Sequence, residues 1–214
     1  MSGLARWICA ACAALAIAGC ASPTSRFYTL DASMPPGSAG VARSPATAAA
    51  AARGPGLGVA VGPVAIPAVV DRPEMVITVG PNEVWLDEFN RWAAPLSDAI
   101  GLAIVGQLSV LLPSPYVTLL SQSPGELADT RVAVEIQRFE SVPGSHALVD
   151  AVFTVRSAAS GRTHTVRTTA REATADRSYD ALAAAHSRAV ARLSRDIEAA
   201  IAVVAAAPGT SPPR

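Results

Sequence analysis

Residues 131–139 read Arg131-Val132-Ala133-Val134-Glu135-Ile136-Gln137-Arg138-Phe139, alternating apolar and polar side chains with a period of two. Successive side chains of an extended chain point to opposite faces. Val132, Val134 and Ile136 therefore share one face, and Ala133, Glu135 and Gln137 the other. Pro143-Gly144-Ser145 turns the chain into residues 147–155, where Val149, Ala151, Phe153 and Val155 again fall on one side. Ser160-Gly161 turns it once more into residues 162–170, whose Thr-rich, polar character suits an edge or half-exposed strand. This stretch predicts a sheet of antiparallel hairpins with one apolar face.

The C-terminal part of the chain supplies a cover for that face. From about Ser178 to Val204, Tyr179, Leu182, His186, Val190, Leu193, Ile197, Ile201 and Val204 recur at steps of three and four, the spacing of a helical stripe. The Ala-rich remainder lets this helix lie close against a sheet. A second helix is expected after Pro95, a residue tolerated in a first turn because no N–H is needed there. Its stripe is Leu96, Ile100, Ala103, Ile104, Leu108 and Leu111, and Pro113 and Pro115 stop it. Further strands are expected at Gly58–Ile66 and Tyr116–Leu120, and a short hairpin at Met75–Val79 and Glu83–Leu86 around Gly80-Pro81-Asn82. The order strands, helix, strands, helix predicts an α+β fold: two layers, a mainly antiparallel sheet with two helices packed on one face.

The N-terminus has a different character. Arg6 is followed by an apolar stretch from Trp7 to Ile17, and then by Ile17-Ala18-Gly19-Cys20. A positive start, a short apolar core and small residues before a cut describe an export signal. The stretch falls short of the ~20 residues that span a bilayer. A cysteine at the cut makes it a lipoprotein signal, with Cys20 as the attachment point for a diacylglycerol and an N-acyl chain. Each buried methylene of those chains contributes ~0.8 kcal/mol to anchoring. Residues 1–19 are then the signal, 20–26 an acylated tether, 27–206 the domain and 207–214 a disordered tail. Ala21, not Asp, follows the cysteine, which favours an outer-membrane place facing the periplasm. Phe27–Leu30 is strand-like, while residues 31–57 are mostly Ala, Pro, Gly and Ser and suit a flexible insertion. If Phe27–Leu30 joins a sheet, the tether is only Ala21–Arg26, with a reach of at most ~20 Å.

Composition narrows the chemistry. The chain carries 17 basic and 17 acidic residues, and Arg6 leaves with the signal, so no basic face for nucleic acid is evident. Cys9 and Cys12 leave with the signal and Cys20 is acylated. That leaves no thiol for a disulfide or a cysteine-ligated metal. The three histidines, His146, His164 and His186, have no ligand spacing, and no metal or other cofactor is expected. There is no Gly-x-Ser-x-Gly elbow and no phosphate-cradling loop with its Lys. Glu135 and Asp150 could face each other across a hairpin, but exposed strand carboxylates are common. No catalytic residue is expected.

Two segments stand out: Pro67-Ala68-Val69-Val70-Asp71-Arg72-Pro73, and Glu88-Phe89-Asn90-Arg91-Trp92-Ala93-Ala94-Pro95-Leu96. Both connect elements and are dense in polar, aromatic and proline residues. One reading is structural, with Trp92 capping the core and Asp71 pairing with Arg72 or Arg91 to fix loop shape. The other is a partner surface, because Trp and Arg dominate interface energetics. The candidates are Asp71, Arg72, Asn90, Arg91 and Trp92.

These segments carry a resemblance. Tyr28-Thr29-Leu30 after a lipobox, Val61-Gly62-Pro63-Val64 with Pro67, Asp71-Arg72-Pro73, and Asn90-Arg91-Trp92-Ala93-Ala94-Pro95-Leu96 leading into a helix resemble the ABC-type transport auxiliary lipoproteins, the family of paraquat-inducible protein C-like chains. Leu193-Ser194-Arg195-Asp196-Ile197 in the last helix is similar to that family as well. The resemblance implies a non-catalytic, periplasm-facing docking subunit. Its partners would be a mammalian-cell-entry (MCE) type protein and an ABC or integral membrane transport component that move lipids between membranes. It also implies a contribution to envelope integrity, with a homo-oligomeric ring as one arrangement. Two other functions compete: a lipid-binding shuttle, which would need an apolar cavity of ~300 Å³ or more, and an envelope hydrolase built on one of the histidines.

Overall fold

The computed structural model describes residues 24–32, 58–112, 116–122 and 128–206. The signal, Cys20, most of the 31–57 insertion and the tail lie outside the described residues. The elements run β1 (Arg26–Tyr28), β2 (Val59–Ala65), β3 (Glu74–Gly80), β4 (Glu83–Trp92), α1 (Leu96–Leu111), β5 (Val117–Leu119), β6 (Thr130–Val142), β7 (His146–Ser157), β8 (Thr163–Ala173) and α2 (Tyr179–Ala206).

The fold is α+β, as expected, with two helices over strands. The strands form two mixed sheets rather than one: five strands in the order β5-β2-β6-β7-β8, and three in the order β1-β4-β3. The hairpins β6–β7 and β7–β8 are antiparallel, and β8 is the polar edge. Strand β2 instead pairs in parallel with both β5 and β6. It can do so because α1 intervenes before β5, and parallel neighbours need such a crossover.

Period-two burial holds along β6, where Val132, Val134 and Ile136 are buried. Val149, Ala151, Phe153 and Val155 of β7 share the same core. Glu135 and Asp150 do not meet: Glu135 is opposite Val152, and Asp150 is opposite Arg138. Asp150 is instead gripped by Arg167, at 2.9 and 2.7 Å. That hydrogen bond, against burial, holds the Asp150 carboxyl below its usual range.

Pro95 precedes α1 in an extended conformation, and Leu112 ends the helix, its N–H bonded to the Leu108 carbonyl. The Ser178 hydroxyl accepts from the Ala181 N–H at 3.1 Å, capping α2. The helices meet through a buried polar bridge. Gln107 of α1 accepts from Ser194 of α2 at 2.8 Å and donates to the Asp31 carbonyl at 3.2 Å. The Asp31 N–H in turn donates to Ser187 at 2.9 Å. The chain leaving β1 is therefore docked on both helices up to the start of the insertion. Gln107 is fully buried. Gln107→Ala is expected to cost about 2 kcal/mol, from a cavity and two lost hydrogen bonds. Urea unfolding would check this, and a midpoint unchanged from wild type would contradict the bridge's role.

Candidate functional site

The two unusual segments come together. β3 and β4 are antiparallel, so Glu74, directly after the Pro67–Pro73 loop, lies opposite Arg91. The Trp92 N–H donates to the Pro73 carbonyl at 2.7 Å, and Arg91 pairs with Glu74 at 3.1 Å. Inside the loop, the N–H of Val70 bonds to the Pro67 carbonyl and that of Arg72 to the Val70 carbonyl, which folds it tightly. Val70 turns into the core, whereas Val69 is 49% exposed and Asp71 is exposed. Asp71 forms no ion pair with Arg72 or Arg91; the loop's shape comes from its backbone and the β3–β4 pairing. Arg72 Nε and Arg91 Nε are shielded from solvent with no hydrogen-bond partner among the described residues.

Asn90–Trp92 form the end of strand β4, not a connecting segment. A register jump between Met75↔Asp87 and Glu74↔Arg91 breaks the alternation there. β1 then pairs with these three residues in parallel, Arg26↔Asn90, Phe27↔Arg91 and Tyr28↔Trp92. Asn90 ties β4 to β1: its side-chain oxygen accepts from the Tyr28 hydroxyl at 2.9 Å, and its N–H donates to Asp87 within β4. Asp87 also accepts from the Tyr179 hydroxyl of α2, at 2.5 Å. Burial pushes the Asp87 carboxyl up, but the bonds from Tyr179, Asn90 and Phe89 outweigh it and hold it below the usual range. Burial and then the Asp87 hydrogen bond push the Tyr179 phenol up.

Trp92 needs a correction as a partner-surface candidate. It is 5% exposed, with its ring edge-on to Phe139 and to His186, centroids 6.1 Å apart in each case. Its ring is therefore part of the core. Of the other candidates only Asp71 is exposed; Arg72, Asn90 and Arg91 are half-buried around the hairpin base. Sequence patterning gives no hint of Glu74 or Asp87, since isolated carboxylates beside loops are common; only the β3–β4 and β4–α2 contacts give them roles.

The histidines are far from a catalytic arrangement. His186 is fully buried and stacked on Phe139 at 3.9 Å. One ring nitrogen, Nε2, is 2.8 Å from the buried Ser141 hydroxyl, while Nδ1 has no partner among the described residues. A nucleophile-activating pair needs an orienting group on that second nitrogen and a path for substrate. Among the described residues this pair has neither. His146 contacts Ser145 and Arg171 at the surface, and His164 lies on edge strand β8. No group of three or more His, Cys, Asp or Glu among the described residues could hold a metal. A half-open cavity of about 360 Å³ lies between β2, α1 and β5, lined by Val61, Val64, Leu119 and Leu120 but also by Ser97 and Asp98. It sits at the surface, not between the sheet and α2, where the Leu182, Val190, Leu193 and Ile197 side chains fill the layer.

Fold and site together define a small α+β domain with a polar, arginine-bearing edge beside a hairpin. No helix of the described residues is long and apolar enough to cross a membrane. The chain belongs to the ABC-type transport auxiliary lipoprotein component family, which matches residues 41–198. Membership makes it a transport auxiliary lipoprotein of the cell envelope. Comparison with curated proteins gives no match. Among solved structures, the crystal structure of an uncharacterized protein overlays with TM-score 0.64 at 17% identity, covering 84% of this chain and 99% of that one. Protein XCC0632 from Xanthomonas campestris overlays with TM-score 0.58 at 16% identity, covering 70% and 86%. These likenesses establish the shared fold.

Proposed function

We propose that the chain is a non-catalytic, periplasm-facing lipoprotein subunit of an MCE/ABC-type intermembrane lipid transport system. It is anchored at the outer membrane through acylated Cys20, docks the MCE protein and supports envelope integrity. The observation that carries the docking face is the convergence of the Pro67–Pro73 loop and the Asn90–Trp92 strand end at the hairpin base. That edge offers Val69 as an apolar contact, Asp71 as an acceptor, and Arg72 and Arg91 as half-buried cations, the second already paired with Glu74. Such a mixed patch with arginine at its centre suits a protein partner. Several anchored copies around one partner would strengthen a weak single contact by avidity.

Arg72→Glu in the full lipidated chain tests the face. Truncating a central interface arginine costs ~2 kcal/mol or more, and charge reversal costs at least as much, so the MCE protein should co-purify at about thirtyfold lower affinity. Arg162→Glu, on the exposed β7–β8 turn, should leave binding unchanged, and both variants should melt like wild type. Undiminished co-purification by a stable Arg72→Glu protein would remove the contact from this edge. The half-open cavity favours a second reading, a lipid-binding shuttle. Phospholipid retained stoichiometrically by an unacylated Cys20→Ser protein through delipidating purification would support it.

A further inference from the structure

The three-stranded sheet holds six of the eleven large apolar side chains exposed among the described residues: Phe27, Val79, Val84, Trp85, Leu86 and Phe89. Four of them crowd the end of the β3–β4 hairpin. Trp85 is 66% exposed, Val79 50%, Val84 46% and Leu86 38%. Register places Trp85 on the face of Ile77, and Val84 with Leu86 on the face of Val76 and Thr78. The hairpin end is thus apolar on both faces. A strand pair standing in water normally keeps its outer face polar, as β8 does with Thr165, Arg167 and Thr169.

The direction of β1 indicates what covers this tip. β1 runs parallel to β4 and starts level with Asn90. The chain before Arg26 therefore enters from the side of Glu83 and the turn, not from the side of Trp92. Cys20 lies six residues before Arg26, and Val84 lies six residues before Asn90. Both intervals reach roughly 20 Å in extended chain. The arm is long enough to bring the acylated residue level with the apolar tip. It is too short to carry it far past.

We propose that the tip of the β3–β4 hairpin, led by Trp85, is the surface by which this domain rests in the lipid interface beside its own anchor. This rests on the reading of Cys20 as the acylated residue. Tryptophan is favoured at the boundary between acyl chains and headgroups, where one end of the ring is apolar and the other wet. Residues 79–89 include Glu83, Asp87 and Glu88 and no Arg or Lys. The contact is therefore with zwitterionic phospholipid and is insensitive to salt. Seating the tip leaves the hairpin base, with Asp71 and Arg72, one strand length of roughly 20 Å away from the bilayer, where a partner can reach it.

The edge of β4 before Asn90, unpaired among the described residues, offers a second copy a place to add, so the test must separate the two. Removing the signal leaves Trp85, exposed, and Trp92, buried, as the tryptophans of the mature chain. The lipidated protein is reconstituted into phosphatidylcholine vesicles with ordinary or brominated acyl chains, and flotation and tryptophan emission are read on the same samples. Bromination should remove about half the emission of the wild type and almost none of Trp85→Phe, in keeping with one interfacial ring. Trp85→Phe should float and melt like wild type. Flotation with no bromine quenching would overturn the membrane contact while leaving the anchor intact. An emission already shifted to the blue, unquenched by bromine and lost on dilution of the protein in the bilayer, would mean a second copy covers the tip, and would also overturn it. Failure to float would remove the acylation reading and this inference with it.

Discussion

Trp92→Ala is expected to lower the stability of the domain by about 3–5 kcal/mol, the range for removing a large buried aromatic. The ring is 5% exposed and wedged edge-on against the stacked Phe139–His186 pair. It also sits where β1, β4 and the Pro73 carbonyl meet, so few neighbours can move in to fill the space. A domain of this size is stable by only ~5–15 kcal/mol in total. The melting temperature should fall by roughly 10 °C or more, and Trp92→Phe should recover much of the loss. Calorimetry of the two variants checks the claim; a melting point for Trp92→Ala within two or three degrees of wild type (about 1 kcal/mol) would refute it. Any loss of a partner by Trp92→Ala would accordingly report unfolding, which is why Arg72 is the better probe of docking.

The same cluster should make the domain lose stability in mild acid. Burial, with a smaller contribution from His146, lowers the His186 pKa from 6.5 to about 3. In the unfolded chain the imidazole returns to its ordinary value. Below pH 6.5 the unfolded state therefore takes up a proton that the folded state refuses. Stability from this residue is complete above the unfolded pKa and declines as pH falls toward the folded one. The slope is about 1.4 kcal/mol per unit, which gives about 2 kcal/mol lost at pH 5. Most carboxylates titrate lower and contribute little in that window. Urea unfolding at pH 7.5, 6 and 5 would measure the slope. His186→Gln keeps a polar contact for Ser141 but cannot titrate. It should be less stable at neutral pH and show a clearly flatter dependence between pH 6.5 and 5. Identical slopes for the two proteins would mean that His186 is protonated in place.

How much of this fold and site was legible in the sequence differs from element to element. The alternation of Val132, Val134 and Ile136 and the stripe from Leu182 to Val204 located β6 and α2 closely, because one-sided burial imposes a period on each element. The hairpin at Gly80-Pro81-Asn82 was equally clear from its turn residues. The end of β4 was not. The register jump after Asp87 destroys the alternation that marks a strand, so Asn90–Trp92 resembled a connection. The docking candidates were legible as two unusual segments, but their union was not, since nothing local relates residue 72 to residue 91. Trp92 illustrates the same limit, because an aromatic near a loop serves the core or a partner according to what packs against it.

The residue pattern alone gave the class of the main elements and the α+β arrangement through local periodicity, and its short motifs carried the resemblance to the lipoprotein family that the chain belongs to. Tertiary structure decided the division into two sheets, the parallel seating of β1 on β4, the burial of Trp92 and the exposure of Trp85. These depend on which strand edges remain free once the rest has packed. A free edge is a property of the assembled chain, and no stretch of residues carries it by itself.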